Sequence, residues 1–178
     1  GVNLPEVKAV MDALLEQIKS DKEKSIIIAT MNQQQESEVN LALEAELLKN
    51  KMLRDFDGKH QGNLDELTVK KLEDIQGDER DVVIISTVYG PDADGKITQM
   101  FGDINRANGH RRLNVLFTRA KHKVILVTSL RSSNIKESKR EGPQILKKYL
   151  EYAEKGEITD LDRRTSGSTE NPFEESIR

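Results

Sequence analysis

The 178-residue sequence contains no cysteine, and this absence excludes several kinds of chemistry. A chain without thiols forms no disulfide, offers no cysteine nucleophile and builds no cysteine-ligated zinc site. The three histidines, His60, His110 and His122, are scattered along the chain, so the sequence predicts no metal centre. We therefore expect neither redox nor zinc chemistry.

Long hydrophobic runs are also missing. No apolar stretch approaches the ~20 residues that cross a bilayer, and the first residues lack the basic-then-apolar layout of a secretory signal. We therefore expect a cytoplasmic protein with no membrane partner. Aromatic residues make up only 4% of the chain, so the sequence offers no obvious platform on which bases could stack.

Charge of one sign does not dominate the chain, whose net charge is −3. This balance gives no overall attraction to nucleic acid. The exception is the segment 106–123, "RANGHRRLNVLFTRAKHK", which is rich in lysine and arginine and contains no acidic residue. A functional explanation is needed for this local basic segment.

Apolar periodicity predicts alternating helices and strands. The predicted helices span 4–19, 32–50, 109–121 and 143–156, and the predicted strands span 24–30, 67–73, 81–88 and 123–130. This order favours an α/β fold, a three-layer α/β/α sandwich with a mainly parallel sheet. The length favours one domain, placed at 1–157, and the polar composition of 158–178 predicts a linker and the start of a truncated following domain.

Residues 89–99, "YGPDADGKITQ", nearly spell the phosphate-binding loop G-x-x-x-x-G-K-[ST]. The loop carries Lys96 at the required place, but Ile97 replaces the hydroxyl that would ligate Mg²⁺. Asp92 and Asp94 would also repel a polyphosphate. We therefore predict a polar surface turn, with a self-contained nucleotide hydrolase that uses Lys96 as the alternative.

Two other segments form a more specific pair of motifs. "QGDERDVVIIS" (76–86) and "RRLNVLFTRAK" (111–121) resemble the motifs Q-G-x-E-x-D and R-R-x-N-V-x-x-T-R-A-[KR] of the second RecA-like domain of superfamily 1 helicases. "IIIATMNQQQ" (26–35) is a weaker match to a third motif. The resemblance covers roughly residues 20–155 and implies a RecA-like fold and an ATP-dependent helicase or translocase.

The resemblance also implies roles for particular residues. Arg119 would be an arginine finger that stabilises charge developing on the γ-phosphoryl oxygens, and Glu79 would act beside it at the nucleotide. The nucleotide contacts would come from Gln76, Gly77, Glu79, Arg112 and Arg119. The contacts to single-stranded nucleic acid would come from Thr30, Ser86 and Thr87, at strand ends on the carboxyl edge of the sheet, and from Asn32 just downstream of Thr30.

Plainer interpretations exist for several of these residues. Glu79 could instead form a local salt bridge to Arg80 or Lys71, and Asp81 could simply fix a turn. The hydroxyls of Thr30, Ser86 and Thr87 could simply form hydrogen bonds to backbone groups of the protein. The finger assignment requires that the guanidinium of Arg119 lie exposed at the carboxyl edge of the sheet.

An acceptable P-loop and an acidic Mg²⁺-binding strand are both missing from the sequence. The resemblance therefore implies that ATP and Mg²⁺ bind in a cleft against an N-terminal RecA-like domain of the same parent chain, which would hold most of the Mg²⁺ contacts. The isolated chain would then be inactive. A non-catalytic RecA-like scaffold that has lost motor function is the alternative.

The last part of the sequence carries one more resemblance. "REGPQILKKYLEYAEKG" (140–156) and "NPFEESIR" (171–178) are similar to the region of large bacterial helicase-like proteins where the motor ends and a domain similar to very-short-patch-repair endonucleases begins. This similarity implies DNA rather than RNA as the track.

Overall fold

A computed structural model describes residues 1–155 of the chain. These residues divide into two compact units. The first, the sheet unit, comprises Gly1–Gly90 and Arg119–Ser129; the second, the helical unit, comprises Pro91–Thr118 and residues 130–155. The predicted boundary at 157/158 and the segment "NPFEESIR" lie outside the described residues, so both stay predictions.

Helices and strands follow the predicted order with one addition. The α-helices are α1 (Leu4–Ser20), α2 (Gln33–Lys49), α3 (Lys51–His60), α4 (Gly109–Phe117) and α5 (Glu141–Lys155). The strands are β1 (Ile26–Thr30), β2 (Thr68–Lys71), β3 (Arg80–Ser86) and β4 (Ala120–Val127). Short 3₁₀ turns occupy Leu72–Asp74, Gly102–Asn105 and Ser132–Asn134.

The four strands form one parallel sheet in the order β2-β1-β3-β4. In this register Ile28 of β1 lies between Val69 of β2 and Ile84 of β3. The central strands are continuous apolar runs, as expected of strands that are buried on both faces. The predicted class is therefore confirmed: the fold is a parallel sheet with flanking helices, an α/β fold consistent with the RecA-like architecture.

The main core of the sheet unit lies where α1, α2 and α3 meet one face of the sheet. Leu14, Val39 and Leu53, one from each helix, are fully buried there with Ile28 and Ile84 of the sheet. Burying one such side chain contributes about 1.5–3 kcal/mol. This packing fixes the three helices against the sheet.

Helix α3 was not predicted from the sequence. It begins directly after α2, and Asn50 serves as the C-cap of α2 and as the N-cap of α3, where its side chain accepts a hydrogen bond from the amide of Leu53. Only Leu53 and Phe56 supply its apolar face, and Gly58 lies near its end. So short a stripe with an interior glycine gives a weak periodic signal.

The helical unit packs around α4 and α5. Phe117 stacks on Tyr149 with ring centroids 3.5 Å apart, and the Tyr149 hydroxyl donates to Asn114 Oδ1 at 2.8 Å. Gly109 and Gly142 both lie against the carbonyl oxygen of Ile104, which a Cβ atom at either position would meet at about 2 Å. Side chains are therefore sterically excluded at these two glycines.

One boundary differs from its prediction in a way that matters for function. Helix α4 ends at Phe117, whereas the sequence predicted a helix to residue 121, and β4 begins at Ala120 instead of 123. The Thr118 amide caps the helix by donating to Asn114 O, and Ala120 already pairs with Arg80 of β3. Arg119 thus lies in the short connection between α4 and β4.

Candidate functional site

The parallel sheet separates the predicted site residues into two groups. Because all four strands run in one direction, their carboxyl ends share one edge and their amino ends share the other. Thr30 and Ser86 end strands at the carboxyl edge. Glu79 and Arg119 each immediately precede a strand, so they lie at the amino edge.

The expectation that Arg119 lies at the carboxyl edge is therefore wrong. The physical reason is its place in the chain: Arg119 precedes β4, whereas a residue must follow a parallel strand to reach the carboxyl edge. Its side chain is half-buried, not enclosed in the core. The carbonyl oxygen of Arg119 accepts a hydrogen bond from the amide of Arg80 at 3.1 Å, which places Arg119 beside the start of β3.

A tight turn brings three more of the predicted nucleotide contacts, Gln76, Gly77 and Glu79, to the same edge. The amide of Asp78 donates to the carbonyl of Ile75 at 3.1 Å, and Gly77 within the turn has a φ of 87°. Such a φ favours glycine because a Cβ atom would strain the backbone. Gln76, Gly77 and Glu79 are all exposed, and open space surrounds the position of a Cβ on Gly77.

Glu79 does not form the salt bridge that was its plainer interpretation. The guanidinium of Arg80 donates to the backbone oxygen of Glu79 at 2.8 Å, and Lys71 pairs with Asp74 at 3.7 Å. Both candidate partners therefore have other contacts. The carboxylate of Glu79 remains on an exposed residue at the amino edge, available to a ligand.

Asp81 fixes the beginnings of two central strands, and not the turn that its plainer interpretation named. Its carboxylate accepts from the amide and hydroxyl of Ser25 at 2.9 and 3.1 Å, and His122 Nε2 lies 3.4 Å away. Burial acts to raise the pKa of Asp81, but the two hydrogen bonds from Ser25 and the nearby charges of Lys24 and His122 outweigh it and lower the pKa below its ordinary value.

The carboxyl edge contains a feature that the sequence analysis missed, the buried carboxylate of Glu6. It is 2% exposed and accepts from the Ser86 hydroxyl and the Val88 amide, both at 2.7 Å. It also accepts from the Ser129 amide at 2.8 Å and from the Thr87 hydroxyl at 3.2 Å. The Glu6 carboxylate therefore accepts hydrogen bonds from the carboxyl ends of both β3 and β4.

Glu6 lies in the first turn of α1, next to the N-cap residue Asn3. Asn3 Oδ1 accepts from the Glu6 amide, which makes Asn3 the N-cap, and Asn3 Nδ2 donates to Glu6 Oε1, both at 3.2 Å. Asn3 Nδ2 also donates to the carbonyl of Val88, a β-branched residue held at a φ of 70°. The spacing Asn-x-x-Glu was the signal in the sequence that could have indicated this cap.

These contacts correct the predicted nucleic-acid contacts of the strand ends. Thr30, Ser86 and Thr87 are each 0% exposed, and their hydroxyls bond within the protein. Asn32 is partly exposed, but its side-chain oxygen caps α2 through the Gln35 amide. Because buried hydroxyls offer no surface to a strand of nucleic acid, the structure favours the plainer interpretation, in which they satisfy neighbouring protein groups.

Arg112 and residues 91–99 of the loop that resembles a P-loop lie in the helical unit. Arg112 Nη1 lies 3.9 Å from Asp103 Oδ1, which Arg106 contacts at 2.6 Å. In the loop, Asp92 Oδ1 accepts from the amides of Asp94 and Lys96 at 3.0 and 2.8 Å. The amides that a phosphate would need therefore already have a partner, and the prediction of a polar surface turn is confirmed.

The described part of the chain has neither a metal-binding cluster nor a membrane-spanning helix. Residues 1–155 contain no group of three or more histidine, aspartate and glutamate side chains that could hold a metal ion. None of the helices in the same residues is both long enough and apolar enough to cross a membrane.

The fold and the exposed groups define a class of protein, an α/β domain consistent with the RecA-like architecture, with accessible ionic side chains at the amino edge of its sheet. Comparison with known proteins then gives the family. The family model described as "AAA domain" (AAA_12) matches residues 1–131. The chain therefore belongs to this family, a helicase-like family of superfamily 1.

Two curated relatives extend the comparison. The chain is 32% identical over 158 residues to a protein named "Uncharacterized ATP-dependent helicase MG140 homolog" from Mycoplasma pneumoniae. It is 30% identical over 158 residues to "Uncharacterized ATP-dependent helicase MG140" from Mycoplasma genitalium. Each match covers 85% of this chain and 14% of the relative, so the chain spans about a seventh of the length of these proteins.

Proposed function

We propose that this chain is the second motor domain of an ATP-dependent superfamily 1 helicase or translocase, in which Arg119 is the arginine finger. The supporting observation is the grouping of Gly77, Glu79 and Arg119 at one accessible edge of the sheet. This edge is the amino edge, so the proposal depends on an accessible Arg119 beside Glu79 and gives up the carboxyl edge that the sequence analysis required of the finger. The two motifs are about thirty-five residues apart in the chain, and the start of β3 and the start of β4 bring them together.

The chemical role of each group follows from its charge and exposure. A guanidinium at this edge stabilises the negative charge that develops on the transferred phosphoryl oxygens. The exposed backbone of the Gly77 turn allows close approach of a nucleotide, and Gln76 and Glu79 are exposed beside it for polar contacts. Arg112, which contacts Asp103 in the helical unit, is retained as a candidate nucleotide contact on the resemblance alone.

These residues account for one side of an ATP site. ATP supplies the phosphoryl group, and Mg²⁺ would be held mainly by an N-terminal RecA-like domain that carries the P-loop. The loop at Asp92–Lys96 is unsuited to that task, because Asp92 already occupies its amides. For the same reason, a self-contained hydrolase that uses Lys96 is not supported by the geometry.

Single-stranded nucleic acid is the proposed track, with DNA favoured over RNA. The support is the family membership and the naming of both relatives as ATP-dependent helicases. The similarity of the C-terminal sequence to the junction with an endonuclease-like domain favours DNA. The buried hydroxyls of Thr30, Ser86 and Thr87 form no part of this proposal.

The test requires a protein that joins this chain to a P-loop domain. We expect Arg119→Ala to lower the kcat for ATP hydrolysis by ~10³-fold or more, as loss of an arginine finger does. Arg140→Ala, which removes an exposed arginine of the helical unit, serves as the matched control and should leave kcat unchanged. Circular dichroism should show the same fold in both variants.

Two outcomes would contradict the proposal. Undiminished turnover in the Arg119→Ala variant would remove the finger assignment. An absence of ATP hydrolysis by the unmodified two-domain protein, with and without single-stranded DNA, would instead support the alternative of a RecA-like scaffold that has lost motor function.

A further inference from the structure

Arg80 occupies an unusual position for an arginine, because its side chain is buried although it lies at the amino edge of the sheet. The residue is 5% exposed. Arginine is almost never fully buried unless its donors are satisfied. The partners of this guanidinium therefore indicate what it holds in place.

The guanidinium of Arg80 bonds mainly to backbone carbonyls. Nε and Nη2 both donate to the carbonyl oxygen of Glu66, at 3.2 and 3.0 Å, and Nη1 donates to the carbonyl oxygen of Glu79 at 2.8 Å. Nη1 also lies 3.9 Å from Asp78 Oδ1, and Asp78 in turn accepts from Lys70 Nζ of β2 at 2.7 Å. The Arg80 guanidinium thus connects the Gly77 turn to the segment that precedes β2.

The backbone of Arg80 contacts the second motif, which contains Arg119. The Arg80 amide donates to the carbonyl oxygen of Arg119 at 3.1 Å, at the point where the β3–β4 pairing shifts register between Arg80 and Val82. Irregular pairing of this kind redirects the strand locally. Arg80 consequently contacts the backbones of Glu79 and Arg119, the two residues proposed to act on ATP.

We propose that Arg80 is a positioning residue that sets the placement of Glu79 relative to Arg119. This inference rests on the proposed function for its catalytic consequence, but its structural part can be tested without ATP. The planar fork of arginine matches two carbonyl acceptors in fixed directions, and a lysine ammonium lacks that geometry. Loss of the guanidinium would leave the carbonyls of Glu66 and Glu79, in partly buried hydrogen bonds, without these donors and would release the turn.

The structural test is amide hydrogen exchange on the 178-residue chain. We expect Arg80→Gln to speed exchange of the amides of residues 78 and 80 by about tenfold or more, while the Thr87 amide, which bonds to Val127 at the opposite edge, exchanges at its original rate. Arg80→Lys retains the charge and should give an intermediate increase, and it replaces the glutamine variant if that variant fails to fold.

The matched control is Arg54→Gln. Arg54 Nη1 also donates to two backbone carbonyls, those of Leu47 and Leu48, at 3.0 and 3.1 Å, but on the surface of the helices away from the turn. The control should leave exchange at residues 78, 80 and 87 unaltered. Exchange at 78 and 80 within about twofold of the unmodified chain in both Arg80 variants would overturn the proposal. An equal increase at Thr87 would also overturn it, because it would indicate general destabilisation.

The catalytic part is tested in the protein that carries the P-loop domain. We expect Arg80→Lys to lower kcat by about tenfold with a smaller change in KM, because misplaced groups lose transition-state contacts more than ground-state binding. An unchanged kcat, in a protein where Arg119→Ala abolishes turnover, would contradict the positioning role alone. Undiminished turnover in Arg119→Ala would contradict the proposed function and leave the exchange result to stand by itself.

Discussion

The two edges of the sheet differ in what they offer to a ligand. At the carboxyl edge, Ser86 and Thr87 are fully buried, and the hydroxyls of both residues donate hydrogen bonds to the Glu6 carboxylate. At the amino edge, Glu79 is exposed and Arg119 is half-exposed. Open α/β sheets usually bind ligands at the carboxyl edge. In this chain Glu6 covers the carboxyl ends of β3 and β4, whereas Glu79 and Arg119 lie at the other edge.

The difference agrees with a domain that contributes only half of a site. A domain with its own P-loop binds phosphate on the loop that follows a strand, at the carboxyl edge. A domain that supplies a cation and a glycine turn to a partner's phosphate loop has no such requirement. The exposure of the amino edge is therefore compatible with the proposed role of this chain as the second motor domain.

The largest expected effect among the tests of this comparison concerns the carboxyl edge. Glu6→Ala should lower the free energy of unfolding by more than about 3 kcal/mol, because it leaves several buried donors without an acceptor. Chemical denaturation of the chain measures the loss. Glu16→Ala, which removes an exposed carboxylate from the same helix, should change stability by less than about 0.5 kcal/mol. A loss below about 1 kcal/mol for Glu6→Ala would mean that water reaches this edge.

A smaller effect is expected at the turn of the amino edge. Gly77→Ala should cost about 1–2 kcal/mol, since it forces a Cβ into a φ of 87° although no atom lies in its way. Gly58→Ala in α3 has equally open surroundings without a positive φ, and should stabilise the chain by up to about 1 kcal/mol. Thermal unfolding of the two variants measures the contrast. Equal effects would show that the turn is not held in this conformation.

The smallest expected effect concerns Asp81, which holds the amino ends of β1 and β3 through Ser25. Its pKa is lowered in the folded chain, so its contribution to stability is present above the ordinary value of 3.8 and is lost as the pH falls through the lower folded value. Asp81→Asn should cost about 1 kcal/mol at pH 7 and less at pH 2, where the unfolded chain is already protonated at this carboxyl. Denaturation at both pH values measures the difference. A cost that is the same at pH 2 would contradict the role of the ionised carboxylate.

Sequence reasoning succeeded for elements with strong local patterns. The apolar run of β3 and the stripe of α1 were predicted to within a few residues, because a strand or helix that is buried shows its period in a short window. Helix α3 was missed because only Leu53 and Phe56 provide its stripe. The end of α4 was misplaced because the pairing of Ala120 with Arg80 is a contact between distant parts of the chain.

The candidate site was predicted only in part. The paired motifs identified Gly77, Glu79 and Arg119, and the structure brings them to one edge. The assigned edge was wrong, and the hydroxyl contacts to nucleic acid were contradicted by burial. No local pattern could have shown that Glu6 bonds to Ser86, because the two residues are 80 positions apart and meet only after α1 has packed on the sheet.

The sequence alone determined the type and order of most elements and the residues that carry the helicase-like motifs, because periodicity and motif spacing are properties of neighbouring residues. Tertiary structure decided which of those residues are accessible. Arg119 lies at the amino edge because it precedes a strand of a parallel sheet. Glu6 is buried at the carboxyl edge because α1 packs there. The buried guanidinium of Arg80 donates to the backbone of the turn. Each of these outcomes depends on contacts that exist only in the folded chain. There, buried polar groups must form hydrogen bonds, and their partners come from distant segments.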